Sequence, residues 1–279
     1  KNNQRFWTYI VPKIDLIFDD LSFSGGFKIG FYDDTAEGGS GFLLPDLTVS
    51  YNFGNHLSVY GEVKGDIIRN DFKSVISQNR HVSDSIFLNT SIEKIGFKLG
   101  TSGILLPSMT YDINFSMKSI NDQMYFINNK NDPSYFDVVY DLGNSSRLDL
   151  ESYLNFDATN QVSCFTLIKY NSIKTNTIRM PWHTPSITFQ LGSKFKLMSD
   201  RLIISPFFIN FFNIKATSED EQVISLPSVV DFGMDINMVF KEKIGVFLKF
   251  RNLLGKENQI YNLYSTREFD IYGGISVRF

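Results

Sequence analysis

The stretch that decides the fold is Ser186-Ile187-Thr188-Phe189-Gln190-Leu191-Gly192-Ser193-Lys194-Phe195-Lys196-Leu197. Ile187, Phe189, Leu191, Phe195 and Leu197 occupy one set of alternate positions. Ser186, Thr188, Gln190, Gly192, Lys194 and Lys196 occupy the other. Successive side chains of an extended chain point to opposite faces, so this period of two predicts a β-strand with one apolar and one polar face. The last segment repeats the pattern: Phe269, Ile271, Ile275, Val277 and Phe279 oppose Glu268, Asp270, Tyr272, Ser276 and Arg278.

The same alternation runs through residues 21–32, 46–53, 57–67, 111–118, 148–156, 230–240 and 244–251. Segments 162–170 and 202–214 alternate poorly, and the pattern does not orient them. Between the strands, short turns are expected at Asp19-Asp20, Gly54-Asn55, 100–103, 158–161, Ser199-Asp200 and 241–243. Long polar loops are expected at 33–41, 70–89, 119–134, 174–185, 216–226 and 254–266. The two sets interleave if 136–156 is one long strand despite Gly143-Asn144. Short turns at one end and long loops at the other are the build of an outer-membrane barrel. The expected fold is therefore all-β, a transmembrane antiparallel up-and-down β-barrel with about 13–14 strands of roughly 10 or more residues each. It occupies residues 1–279 as a single domain. An odd count, with residues 6–18 as a first strand running down from the long-loop end, leads us to expect the C-terminal portion of a longer barrel.

Composition excludes the competing classes. No run approaches the roughly 18 apolar residues of a spanning helix; 202–212 is the greasiest and carries Ser205, Pro206 and Asn210. The single Cys164 rules out an internal disulfide framework and suits a residue packed in a wall or facing lipid. A net charge of −3 argues against a nucleic-acid partner. A soluble β-sandwich also alternates, but its strands are typically about 5–6 residues long. Here the apolar face needs a second layer, and no amphipathic helix is evident to supply one.

On this reading the polar positions face the lumen. The candidates are Glu62, Lys64, Asp149, Glu151, Lys194, Lys196, Asp231, Asp235, Arg251 and Arg278, a balanced set that gives no ion preference. Trp7, Tyr9, Phe31, Tyr32, Tyr51, Phe53, Phe156, Tyr170, Phe240 and Phe279 are candidates for the interfacial aromatic girdles.

Tyr272-Gly273-Gly274-Ile275-Ser276-Val277-Arg278-Phe279 resembles the C-terminal signal by which outer-membrane barrels are recognised for assembly. Tyr272, Gly274, Val277 and Phe279 are its expected elements, with Val277 where a second aromatic is common. Arg251-Asn252-Leu253-Leu254-Gly255-Lys256, then Tyr261, Tyr264, Gly273 and Arg278-Phe279, resemble the closing strands of TonB-dependent-receptor-type barrels. Pro181-Trp182-His183-Thr184-Pro185 and Asn70-Asp71-Phe72-Lys73-Ser74 are similar to Bacteroidota barrels of that receptor-like type. The resemblance implies an outer-membrane location, with the lipid bilayer, lipopolysaccharide and the barrel-assembly machinery as partners. Other outer-membrane subunits or lipoproteins are further expected partners. It does not extend to a plug domain, for which this sequence holds no candidate.

Catalysis finds no support. His56 falls in a turn, and His81 and His183 fall in loops, where a solvated side chain is expected; none forms a triad or dyad spacing. Asp33, Asp34 and Glu37, and the run Ser218-Glu219-Asp220-Glu221, suit solvated acidic loops better than calcium sites. No catalytic, cofactor or metal residue is assigned. The functional expectation is a receptor- or transporter-like barrel that passes a solute or serves in a larger outer-membrane complex. The alternative is an interaction barrel whose outer loops bind a partner protein.

Overall fold

The computed structural model describes residues 6–34, 38–218, 222–240, 244–266 and 268–277. Its strands are β1 (Phe6–Ile10), β2 (Lys13–Phe18), β3 (Leu21–Asp34), β4 (Gly38–Phe53), β5 (Leu57–Ile68), β6 (Ser91–Leu106), β7 (Met109–Asn128), β8 (Phe136–Thr159) and β9 (Val162–Lys174). They continue with β10 (Ile187–Leu197), β11 (Leu202–Phe212), β12 (Lys215–Thr217), β13 (Val223–Ser225), β14 (Val229–Phe240), β15 (Ile244–Arg251), β16 (Gln259–Tyr261), β17 (Tyr264–Ser265) and β18 (Asp270–Val277). One short helix, α1 (Phe72–Gln78), stands between β5 and β6.

Each long strand pairs antiparallel with its neighbour in sequence. The result is one 14-stranded sheet in the order β1-β3-β4-β5-β6-β7-β8-β9-β10-β11-β14-β15-β18, with β2 also on β3. Two small hairpins, β12–β13 and β16–β17, sit in the loops. Among the described residues the edge strands at the two ends of the sheet are not paired with each other. The expected first strand, 6–18, is two strands on a common partner: β1 lies on Ile29 to Asp33 and β2 on Leu21 to Gly26. Pro12 causes the break, because it has no N–H to give the ladder. Its carbonyl still accepts from the Phe27 N–H at 3.4 Å.

The turns moved more than the strands. Residues 100–103, expected as a turn, lie inside β6, where Gly100 and Gly103 leave room for Tyr60 and for the His56 carbonyl of β5's approach. The reversal falls instead between Leu106 and Met109. The expected loop 119–134 is mostly strand, since β7 continues to Asn128, and the 33–41 loop is strand up to Asp34 and again from Gly38. Loops 216–226 and 254–266 fold back as the two small hairpins. In loop 70–89, α1 is started by Asp71, whose carboxylate accepts the Ser74 N–H at 2.7 Å. The turn expected at 241–243, the Glu37 and 219–221 acidic positions, Arg278 and Phe279 lie outside the described residues.

The register assigns every strand a face. In the centre of the sheet, Phe97, Met117 and Leu148 are cross-strand neighbours; Leu99, Phe115, Leu150 and Tyr170 form the next row, then Thr101, Ile113, Ser152 and Ile168. This face is apolar and open to its surroundings: Leu99 is 65% exposed, Phe97 51% and Met117 52%. So large an apolar face cannot stand in water and calls for lipid. Pairing also orients β9 and β11, which the pattern alone could not. Ile203, Phe207, Ile209 and Phe211 fall opposite Lys196, Gly192, Gln190 and Thr188, on the polar side, so β11 is apolar on both faces. The Phe207 ring there covers Gly233, where an added Cβ would lie 2.3 Å from a ring carbon.

A charge on the apolar face should therefore be far more costly than the same charge one residue away. Leu99→Arg is expected to lose about 2–4 kcal/mol of unfolding free energy, whereas Lys98→Arg on the polar face should change it little. Urea titration of the refolded protein in lipid vesicles, followed by gel mobility, measures both.

Candidate functional site

The polar face carries a lattice of ion pairs between strands. Lys118 meets Glu93 at 3.3 Å and Lys169 meets Glu151 at 2.8 Å; Arg147–Asp149 and Lys64–Glu62, each at 2.8 Å, run along single strands. Lys28 pairs with Asp66, and Arg251 with Asp235. The Arg251 guanidinium also lies 4.9 Å from the Phe207 ring, and the Lys98 ammonium 5.5 Å from that of Tyr60. Of the lumen candidates, the register sets Glu62, Lys64, Asp149, Glu151, Lys194, Asp231, Asp235 and Arg251 on this one face, with Lys196 opposite Ile203 beside them. A cavity of about 460 Å³ lies among Glu62, Lys64, Lys98, Lys118, Asp149 and Glu151 and is bounded by Thr184 and Pro185 of the β9–β10 loop.

Among the aromatic candidates, Trp7 pairs with Tyr32 and Tyr9 with Gly30, on the face that carries Lys28. Lys28 lies 5.5 Å from the Tyr9 ring and Arg69 5.4 Å from that of Trp7, so these three aromatics belong to the polar face and not to a girdle. In the C-terminal segment, Tyr272 pairs with Lys249 and Gly274 lies under the Phe247 ring, whereas Val277 pairs with Ile244.

Buried apolar packing in this protein is concentrated in its loops. Val75 of α1, Met124 and Phe126 of β7, and Phe136 of β8 form one cluster, against which Tyr261 and Tyr264 of the β16–β17 hairpin pack. Ile214, Ala216, Leu226 and Val229 form a second around β12–β13. Hydrogen bonds tie these remote loops together: the Tyr261 hydroxyl donates to the Gln78 carbonyl at 2.9 Å, and the Tyr264 hydroxyl to that of Ser134. Asn262 Nδ2 donates to the Thr217 carbonyl at 3.0 Å. Four loops thus close into a crown over the long-loop end of the sheet.

His183 stands at its centre, 7% exposed, contrary to the solvated loop histidine expected from sequence. Its backbone is left-handed, with φ 55°, and its N–H donates to the Lys215 carbonyl at 2.8 Å. Nδ1 lies 2.9 Å from the Phe126 carbonyl oxygen, while Nε2 accepts the Asn262 N–H at 3.3 Å. Nδ1 therefore carries the proton and the ring is neutral. Burial pushes its pKa down to about 4, opposed only by the Phe126 carbonyl. His81 is stacked on Tyr264 at 3.6 Å and is also held below the ordinary histidine value, by burial and then by Arg80.

A second anchor is Asp141, with no exposed surface. Its carboxylate accepts the N–H groups of Asn176, Thr177 and Ile178 at 2.6–3.0 Å, the Thr177 hydroxyl at 3.1 Å and the Ser145 hydroxyl at 2.5 Å. Sequence offered no signal for it, because all its donors but Ser145 lie some 35 residues away.

Two further cavities open between the loops. One, of about 760 Å³, is lined by Asn128, Lys130, Arg179, Trp182, Ser218 and Asn262. The other, of about 730 Å³, lies between the crown residues Arg80, His81, Tyr261 and Tyr264 and the sheet residues Asp231 and Arg251. No group of three or more metal-ligating side chains occurs among the described residues.

No family model matches the sequence. No curated protein matches it either. The fold does match solved structures. The FrpB iron transporter of Neisseria meningitidis superposes with a TM-score of 0.68 at 10% identity, over 95% of this chain and 44% of that one. The pyoverdine outer-membrane receptor FpvA of Pseudomonas aeruginosa gives 0.63 at 11% identity, over 99% and 42%. The ferric citrate transporter FecA gives 0.63 at 14% identity, over 94% and 43%. The chain spans less than half the length of these structures. It has the fold of an outer-membrane β-barrel, and with its exposed apolar face that fold places it in the bacterial outer membrane.

Asp141→Ala removes the shared acceptor and leaves three backbone donors without a partner, at about 1–3 kcal/mol for each one left buried. We expect amides 176–178 to exchange at least about tenfold faster with deuterium while the centre of β7 is unchanged; equal rates in the two proteins would show that the carboxylate does not hold this loop.

Proposed function

We propose that this chain is the barrel part of an outer-membrane receptor-type transporter, with the crown of loops as its recognition surface and the ion-paired face as its lumen wall. The observation that carries this reading is the inward packing of the loops: His81, Tyr261 and Tyr264 line one cavity together with Asp231 and Arg251 of the sheet. Loops folded over the polar face place any captured solute directly above that face. The outer-membrane proteins whose fold it shares are named for iron, pyoverdine, ferric citrate and copper, which supports a small solute as cargo. Aromatic rings, amides and three arginines in these two cavities suit a polar, partly planar solute. The barrel candidates for the lumen, Lys194 and Lys196 included, would line its path.

The test is uptake. A strain lacking the native full-length protein is compared with its parent for accumulation of ferric siderophore, ferric citrate and copper, and the same strain is complemented with the wild type or with a form lacking residues 258–266. Selective loss of one solute, not restored by the loop-deleted form, is the expected result. Normal uptake of all three, together with a stoichiometric protein partner recovered from mild detergent, would replace this reading with that of an interaction barrel.

A further inference from the structure

We propose that His183 is an acid-released latch: its neutral ring pins the β7 tip to the β16–β17 turn and holds the crown closed over the polar face, and protonation frees the crown. The proposal rests on hydrogen-bond bookkeeping. Nε2 can accept the Asn262 N–H at 3.3 Å only while it is unprotonated, because an imidazolium would set two N–H donors against each other. Nδ1 is already committed to the Phe126 carbonyl at 2.9 Å. Neither of the ring's two hydrogen-bond partners can take the added proton, since Nε2 faces an N–H and the Phe126 carbonyl is already engaged by Nδ1, and the ring is packed between Phe136 and Tyr261, each 5.3 Å away.

Against the cation's loss of water the surroundings set only the Phe126 carbonyl and the neighbouring aromatic rings, and burial outweighs them. Packed against the ring are Phe126 from β7, Phe136 from β8, Tyr261 and Asn262 from the β16–β17 hairpin, and the Lys215 backbone from β12. Tyr261 is itself held neutral, its pKa pushed up to about 12 by burial. The Lys215 ammonium is turned to the Ser225 hydroxyl at 2.6 Å. Asp137, next to Phe136 in sequence, accepts the Asn129 amide at 2.9 Å, and His81 lies behind Tyr264 and Phe136. His183 at φ 55° and Leu263 at φ 68°, beside Asn262, also hold the left-handed backbone that L residues rarely adopt.

The sign follows from the titration. The closed crown holds the ring's pKa below its free value, so the closed state is fully favoured above about pH 6.5 and loses that advantage as pH falls toward 4. The open fraction is expected to rise about 30-fold between about pH 7.5 and about pH 5.

Hydrogen–deuterium exchange of the full protein in lipid nanodiscs, corrected for intrinsic rates, measures this on residues 124–128, 213–217 and 258–266. Wild type should show the rise there and not in the centre of the sheet. His183→Asn keeps a donor for the Phe126 carbonyl but cannot titrate, and should show the same exchange at both pH values. His81→Asn should respond like the wild type. Exchange of the histidine ring C2 proton, read on a wild-type peptide that contains His183, gives the His183 midpoint directly, so a poorly folding variant does not spoil the test. Loops with no pH response, a response abolished by His81→Asn, or a His183 midpoint near 6.5 would each overturn the latch.

Discussion

Everything in this structure depends on backbone hydrogen bonds having to be made between strands and nowhere else. A strand surrounded by hydrocarbon has no water for its N–H and C=O groups, so each must find its partner on a neighbouring strand. That requirement holds β3 to β18 in one continuous antiparallel ladder and leaves the side chains of each strand free to divide between two environments. Pro12 marks the constraint by its exception, since the ladder breaks where a donor is missing.

The two faces then follow different rules. The apolar face is held by nothing within the chain; its rows of Phe, Leu and Met need only to be free of charge. The polar face must neutralise its own charges, and does so by cross-strand and along-strand ion pairs that are partly exposed and individually weak. β11 departs furthest from this division. Of its polar-side residues, Ile209 and Phe211 line a cavity together with crown side chains, while Phe207 packs on Gly233 and the Arg251 guanidinium.

The crown uses a third principle, that of an ordinary globular core. Val75, Phe126, Phe136 and Ile214 are nearly without exposure, because loop residues pack there against the loop-end tips of β7 and β8, whereas the outer apolar rows of the sheet are open. Around this small core the polar groups are matched with few exceptions, His183 and Asp141 each serving several donors or acceptors from loops distant in sequence. Such an assembly is rigid while its bookkeeping closes and is sensitive to one added proton, which is why a wall built for permanence can carry loops built to move.

The strands, their two faces and most of the charged lining were legible in the sequence, because a period of two is a local property that each segment states for itself. Thus Glu62, Lys64, Asp149, Glu151 and Asp235 fall together on one face as their alternation implies. Turn positions were less legible: Gly100 and Gly103 look like a turn in sequence, yet they serve β6 by accommodating what lies against them. The orientation of β9 and β11 could not be found from their own residues, since Phe, Leu and Ile fall on both faces, and only pairing with β10 resolves it. The loop site was not legible at all. His183, Asp141 and Asn262 lie in stretches without periodicity, and what makes them important is the approach of partners tens of residues away. Tertiary structure alone decided that approach, because the ladder fixes where each strand end emerges and so which loops can meet.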